Sequence, residues 1–487
     1  MAKYVTEAGK KLVTLIPGDG IGLEVTGAAR RVVEAVGAPI LWDLQVAGGA
    51  AFRAGVHSGV PAETLDSIRR TRVVLKGPLE TPVGYGDKSA NVTIRKLFEM
   101  YANIRPVREL PGVRTPFSGR EIDMTIVREN VEDLYGGVEH METPGVAQTL
   151  KWITRKGSEK ILRVAFEVAR SESRQTLHCV TKANIMKMTD GLFKRTFEDL
   201  GPEYPDIRGS HMIVDNCAQQ LVIAPEQFEV IATENLYGDV LSDLAAGLVG
   251  GLGFASSANI GDNVAMFEAV HGSAPAIAGK NLANPTALML TAAMLLRYLD
   301  ELDAAVLVEN AVVLTLEQRK AMTADMAQGA SSVGTDQFTD AVIANLGGKP
   351  RSLPARTYRP LVLPKVDARA DSVRPARRRV LGLDVFVESA KSPEALGGAL
   401  ERAVASSPFA LQLISSRGTK VYPNLGTALD YVDAWQCRFL MRTEAEPSAD
   451  DLLDLLRRVT AVAPWVHAEK LQEFDGEATF SKAQGEE

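Results

Sequence analysis

Cysteine is nearly absent from this chain: Cys179, Cys217 and Cys437 are the only three in 487 residues, and no pair is spaced CxxC. A sparse, odd set in so long a chain excludes a disulfide framework and a zinc knuckle, and it suits a reducing compartment. No run approaches the roughly 18–20 apolar residues of a membrane span, and Met1 to Lys11 lacks the apolar core of a signal peptide. Positive charge is not in excess either. The net charge is −7 and the pI near 5.6, which argues against nucleic acid or an anionic membrane as partner. No internal repeat or low-complexity tract stands out. These absences predict a cytoplasmic protein. What remains is ordinary globular composition, 46% apolar and 24% charged, in a chain long enough for more than one domain.

The first two-thirds alternate short β-branched runs with helix-length segments. Leu12–Ile16 reads as a strand, 17–22 as a glycine-rich turn, and Leu23–Val36 as a helix. Arg72–Leu75, Ile122–Val127, Leu177–Thr181, Met212–Val214 and Phe228–Ala232 read as further strands. This alternation predicts an α/β fold on a mixed sheet. VAQTLKWIT (146–154) is strand-like but stands apart; an arm pairing with another subunit and an ordinary sheet strand are both open. Residues 347–365 carry four prolines and no periodicity, a linker signature. Beyond them a strand and helix pattern in the order βαββαβ predicts a small ferredoxin-like α+β domain over 366–487. The apolar runs Val380–Val387 and Phe409–Ile414 exceed what so small a unit is expected to bury alone, which suggests oligomerisation.

Three features carry chemistry. GDGIG (18–22) follows a strand and precedes a helix, but its spacing is GxGxG rather than GxGxxG, so a tight strand-to-helix turn competes with a dinucleotide site. Ser89 and Asn91 fall at the start of a helix, with Arg95 four residues beyond Asn91 on the same face, and Arg105 and Arg128 follow near element ends. Three arginines in an acidic protein suit a multiply charged anion, because the planar guanidinium donates two parallel hydrogen bonds to a carboxylate. Solvated surface charge is the plainer alternative. Asp239 and Asp243 share one face of a helix beginning near Gly238, and Asp215 ends a strand. With only six histidines in the chain, such carboxylates suit Mg²⁺ or Mn²⁺ rather than zinc; a helix start favoured by its dipole is the alternative.

Nine segments occur in the order found in the β-decarboxylating dehydrogenases, the family of isocitrate, isopropylmalate and homoisocitrate dehydrogenases. They are IPGDGIG (16–22), KGPLETPVG (76–84), SANVTIR (89–95), IRPVR (104–108), RENVEDLYGG (128–137), KANIMK (182–187), DNCAQQL (215–221), NLYGDVLSD (235–243) and HGSAPAIAGKNLANP (271–285). The resemblance spans about residues 10–346, and the region after 365 resembles the C-terminal extension of a Thermus-type branch of isocitrate dehydrogenases. It implies a large and a small domain around a cleft within residues 1–346, the small one about 108–240, in a homodimer or higher homo-oligomer.

By this resemblance Arg95, Arg105 and Arg128 bind the carboxylates of the substrate, and Asp215, Asp239 and Asp243 hold the metal. Asp215 and Lys182 reach in from the neighbouring subunit. Lys182 serves in proton removal from the substrate hydroxyl, and Tyr135 protonates the enolate left after loss of CO₂. Ser89 and Asn91 offer polar contacts where an isopropyl-binding member needs apolar ones, so isocitrate is expected, with homoisocitrate the nearest rival and isopropylmalate next. The same resemblance assigns the cofactor to Leu79, Thr81, Asn184, Glu268, His271, Gly272, Ala276, Ile277 and Asn284. NADP-specific members carry a lysine and a tyrosine where Ala276 and Ile277 stand, and a tyrosine and an arginine aligned here with Ala324 and Gln328. None of the four pairs strongly with a 2′-phosphate. The aspartate usual for NAD is also missing, replaced by Ala276. NAD is the expected cofactor and NADP the alternative. A catalytically silent regulatory subunit is disfavoured, since every catalytic position is intact.

Overall fold

Valine, isoleucine and leucine fill the strand segments, and where helices cover both faces they run without polar alternation. Val73–Lys76 and Val230–Thr233 are buried at every position. The computed structural model describes residues 3–80, 89–327, 331–353, 359–363, 366, 374–424, 426 and 429–486. By contacts the chain divides into two compact units, Met1–Gly136 with Lys151–Asp367, and Gly137–Leu150 with Ala368–Glu487.

In chain order the strands are β1 (Thr6–Glu7), β2 (Lys10–Ile16), β3 (Ile40–Leu44), β4 (Val73–Lys76), β5 (Ala102–Arg108), β6 (Asp123–Glu129), β7 (Glu139–Thr143), β8 (Val146–Thr149), β9 (Thr176–Thr181), β10 (Arg208–Ile213), β11 (Val230–Thr233), β12 (Ser256–Ile260) and β13 (Ala265–Ala269). Among the described residues the first unit is built on one sheet of order β1-β2-β4-β13-β12-β5-β6-β11-β9-β10, with β3 beside β2. Its flanks are parallel apart from the edge strand β1, whereas the successive central pairs β13–β12, β12–β5 and β5–β6 are antiparallel. That centre decides where the site lies. Asn103 of β5 faces Arg128 of β6, and Arg105 is two residues along. Both arginines therefore rise from the same face of the sheet.

The helix Arg155–Ser171 starts at Thr154, whose side chain accepts the Gly157 amide, and buries Ile161, Leu162, Ala165, Val168 and Ala169 along one stripe. It shares the main core with Gly22–Ala35, Thr286–Tyr298 and Leu302–Gln318. Among the described residues no helix is long and apolar enough to cross a membrane. The three cysteines are free and buried. Two boundaries differ from the sequence reading. Val214 opens the helix Val214–Ile223 instead of closing a strand, so Asp215 sits in a first helical turn. The acidic helix begins at Asn235, three residues before Gly238. The described parts of 347–365 hold no helix or strand, yet Leu353, Leu361 and Leu363 pack on the main core.

The second unit comprises β14 (Arg378–Glu388), the helix Pro393–Ala403, β15 (Phe409–Ser416), β16 (Thr419–Tyr422), β17 (Ala434–Met441), the helix Ala449–Thr460, β18 (Trp465–Phe474) and β19 (Glu477–Ala478). Its sheet runs β16-β15-β17-β14-β18-β19. Without the two short edge strands this is the ferredoxin-like order, the fourth long strand beside the first and the third beside the second. Val385, Val387, Phe409 and Ile414 are buried in this unit's own core with Trp435, Phe439 and Leu455. Much of the two apolar runs is thus covered within the unit itself, while Val380, Leu381, Phe386 and Leu411 are only half-buried. The segment that stands apart in sequence forms β8, which among the described residues pairs only with β7, in a hairpin outside the main sheet. That hairpin bonds within the second unit, Glu142 to His467 at 2.8 Å and Thr143 to Asp433 at 3.1 Å.

Candidate active site

Arg105 and Arg128, 5% and 1% exposed, stand on the central strands beneath the helix Asn235–Leu248. Arg105 donates to Asn103 Oδ1 (2.6 Å) and Ser242 Oγ (2.6 Å) and lies 3.4 Å from Asp243 and 3.5 Å from Asp239. Arg128 donates twice to Asn235 Oδ1 (3.1 and 2.7 Å) and is ion-paired with Asp239. Gly238 makes room for this: a Cβ there would stand 2.5 Å from Arg128 Cγ. Burial, with Arg128 and Arg95 nearby, pulls Arg105 down to about 10, so it keeps its charge at neutral pH. The Tyr135 hydroxyl donates to Asp239 Oδ2, and the tyrosine ring lies 5.0 Å from the Arg128 guanidinium. Burial and the Asp239 carboxylate raise the Tyr135 phenol, which keeps it protonated.

Asp239 feels burial pushing its pKa up, but Arg128 above all holds it below the usual range, whereas burial leaves Asp243 raised. Both are oxygen donors on one helix face, and they fit part of the ligand set of a hard divalent cation. Among the described residues no three His, Cys, Asp or Glu side chains gather into a metal-ligand group. Asp215 instead pairs with Lys182, which holds its carboxyl below the usual range.

Around the start of the helix Ala90–Leu97 lies a cavity of about 120 Å³, lined by Asn91, Arg95, Arg105, Leu79, His271 and Gly272 among others. Residues assigned separately to substrate and cofactor therefore share one wall. Among the described residues Asn91 Oδ1, Arg95 Nε and His271 Nε2 are buried without a hydrogen-bond partner. Leaving such atoms unsatisfied costs about 1–3 kcal/mol each, so a polar ligand is the natural complement. Burial lowers His271, which therefore presents a neutral ring. Ser89 precedes this helix, and its carbonyl accepts from Thr93. A larger cavity of about 710 Å³ lies elsewhere, and none of the expected site residues line it.

Glu268 is buried at the back of the small cavity, bonded to Arg95 (2.7 Å), Lys76 (2.5 Å) and Asn259 Nδ2 (2.7 Å). Burial alone would raise its pKa, but Lys76 and Arg95 hold it well below the carboxylate range. Asn259 in turn accepts from Asn103 at 2.8 Å, so a buried polar chain joins Arg105 to Arg95. The sequence reading does not single out Lys76, Asn235 or these asparagines, although KGPLETPVG and NLYGDVLSD contain the first two.

The GDGIG turn works as scaffold. Asp19 and Ile21 donate backbone amides to Pro78 O (2.7 Å) and Ser273 O (2.8 Å), and the Asp19 carboxylate accepts from Gly49 and Glu80 amides at 2.8 Å. A Cβ at Gly20 would fall 2.0 Å from Ser273 O. The loop it supports leaves Ala276 exposed, while Ile277 packs on the core and Lys280 Nζ donates to Ala276 O at 2.8 Å. Asn284 accepts the Thr286 amide (3.0 Å) and donates to Asp325 (2.9 Å). Ala324 is exposed, and so is Asn184, in the turn after β9. Thr81 and Gln328 lie outside the described residues.

The mixed sheet, its paired arginines and the acidic helix above them define an α/β protein with a buried, highly charged site. Residues 12–342 match the isocitrate/isopropylmalate dehydrogenase family and residues 378–486 the bacterial isocitrate dehydrogenase C-terminal domain. The chain belongs to the isocitrate/isopropylmalate dehydrogenase family. It is 58% identical over 484 residues to the isocitrate dehydrogenase (NADP) of Thermus thermophilus, covering 99% of this chain and 98% of that one. It is 45% identical over 334 residues to the mitochondrial isocitrate dehydrogenase (NAD) catalytic subunit 5 of Arabidopsis thaliana, covering 68% and 88%. The crystal structure of the TT0538 protein from Thermus thermophilus superposes with a TM-score of 0.96 at 58% identity, over 99% of this chain and 98% of that one.

Proposed function

We propose that the protein is an isocitrate dehydrogenase, converting isocitrate to 2-oxoglutarate and CO₂ with reduction of a nicotinamide cofactor. The observation that carries this reading is the small cavity, where Asn91 Oδ1 and Arg95 Nε are buried without partners beside Arg105. A third carboxylate accepts from Arg95 Nε–H, and from Asn91 once its amide turns to present Nδ2; an isopropyl group does neither.

Arg95, Arg105 and Arg128 hold the substrate carboxylates and fix its orientation. Lys182, contributed by a second copy of the chain, takes the proton of the C2 hydroxyl. Tyr135, kept protonated beside Asp239, returns a proton at C3 after CO₂ leaves. Asp239 and Asp243, with Asp215 of the second copy, would hold Mg²⁺ or Mn²⁺, which makes the hydroxyl more acidic and an enolate less costly. A bound nicotinamide cofactor would supply the acceptor for the hydride that leaves C2.

For the cofactor we favour NAD. Ala276 and Ile277 carry no donor for a 2′-phosphate, and His271 is neutral. NADP is the second reading, supported by the name of the Thermus relative. Steady-state turnover of isocitrate with NAD and with NADP, each with and without Mn²⁺, tests both. Metal-dependent turnover with a higher kcat/KM for NAD is expected. A preference for NADP overturns the cofactor reading alone, and a preference for isopropylmalate overturns the argument from Ser89 and Asn91. No turnover on any of the three acids favours a regulatory subunit.

A further inference from the structure

Lys151 lies just beyond the β7–β8 hairpin, and its ammonium is surrounded by acid. Its Nζ is 2.7 Å from Asp190 Oδ1, 2.6 Å from Glu234 Oε2 and 3.5 Å from Asp133 Oδ1, and 4.8 Å from the centre of the Tyr237 ring. The three carboxylate side chains are at most 1% exposed and the lysine 12%. Each acid belongs to a different piece of the proposed machinery. Asp190 Oδ2 accepts the backbone amide of Lys182 at 2.7 Å. Asp133 accepts the Leu236 amide at 2.8 Å and opens the turn Leu134–Gly136 that carries Tyr135. Glu234 is the residue before the helix Asn235–Leu248, which carries Asp239, Asp243 and the asparagine that grips Arg128.

We propose that Lys151 is a positioning residue for the reaction, its single ammonium holding the Tyr135 turn and the Asp239 helix of its own site together with the Lys182 loop that serves the site of the second copy. The inference rests on the roles given above to Tyr135 and Lys182. Charge makes the joint sensitive. Three buried carboxylates share one cation, so without it only neutral hydrogen bonds oppose their repulsion and desolvation, and the segments are driven to separate or take up protons. Glu234 is already raised to about 8, chiefly by burial, with Lys151 pulling the other way. Arg95 is held by Glu268 and Arg105 by Asn103, neither of which belongs to the joint, so most of the grip on the substrate carboxylates is independent of it.

The test compares Lys151→Met, Lys151→Arg and Asp190→Asn with wild type in the full-length protein, rated per titrated active site. Lys151→Met is expected to lower kcat about 100-fold while the KM values for isocitrate and cofactor stay within about threefold, with partial recovery in Lys151→Arg. A kcat within about threefold of wild type, or a loss confined to KM, overturns the proposal. Should Lys151→Met not fold, the same split read on Asp190→Asn decides. Hydrogen exchange separates this proposal from the assigned reaction. In Lys151→Met, protection should fall together in 133–136, 182–190 and 234–239, whether or not wild type turns over isocitrate; loss confined to the neighbours of residue 151 overturns it.

Discussion

At Glu129 burial and hydrogen bonding pull in opposite directions. Its carboxyl accepts the amides of Val131 at 2.7 Å and Glu132 at 3.0 Å, but at 2% exposure burial wins and raises it to about 8. In the unfolded chain the group ionises near 4.5. Between these values the folded state keeps a proton that the unfolded state has lost. Stability therefore falls as pH rises through the window and the loss is complete above about 8. Glu129→Gln removes the titration, so its melting temperature relative to wild type should climb from pH 5 to pH 8.5; a difference independent of pH contradicts the assignment. Asn91 makes a second case. Asn91→Leu removes a polar partner from the cavity wall and should lower kcat/KM for isocitrate by about ten- to a hundredfold, a loss of roughly 1–3 kcal/mol. Unchanged kcat/KM would remove Asn91 from the substrate site.

The contact between β6 and the acidic helix depends on one hydrogen atom at Gly238. Alanine there favours the helix by about 1 kcal/mol, but its methyl group would meet Arg128 Cγ and Cβ at 2.5 and 2.7 Å, close to the backbone where that side chain cannot swing away. Overpacking of this kind costs about 1–3 kcal/mol and should win. Gly238→Ala is thus expected to lower both the melting temperature and kcat/KM; thermal unfolding and steady-state kinetics check the two halves separately. Elements of this kind are partly legible in the sequence. Strand and helix existence follows from periodicity; Arg95, Arg105 and Arg128 are picked out by their positions near element ends, and Asp239 by its i,i+4 partner Asp243. Lys76 does not, because a lysine closing an apolar strand reads as a solvated end, and only the pairing of β4 with β13 sets it against Glu268. Asp215 is misplaced from sequence because the junction from β10 into its helix contains neither glycine nor proline. The strand order of both sheets rests on long-range pairing, which no local pattern encodes, though the order βαββαβ narrows the second sheet to one familiar arrangement.

In the whole molecule the proposed machinery falls into two sets that do not meet through any bond described for one chain. Tyr135, Arg105, Arg128, Asp239 and Asp243 form one cluster. Lys182 and Asp215 form the other, paired with each other, with side chains 29% and 68% exposed. Exposed apolar residues flank the second pair, Ile185 and Met188 in its loop and Val222 and Ile223 at the end of its helix. A surface of that kind is suited to burial against another copy. If each site combines one set from each subunit, Tyr135→Phe and Lys182→Met homodimers are both inactive, yet they complement. In a heterodimer of the two, one site carries both lesions and the other carries neither. Unfolding and refolding an equal mixture should then recover about a quarter of wild-type turnover, since about half the dimers are mixed and each holds one intact site. Refolding each variant alone controls for residual activity, and a mixture no more active than its components would place Lys182 and Tyr135 in the same subunit's site.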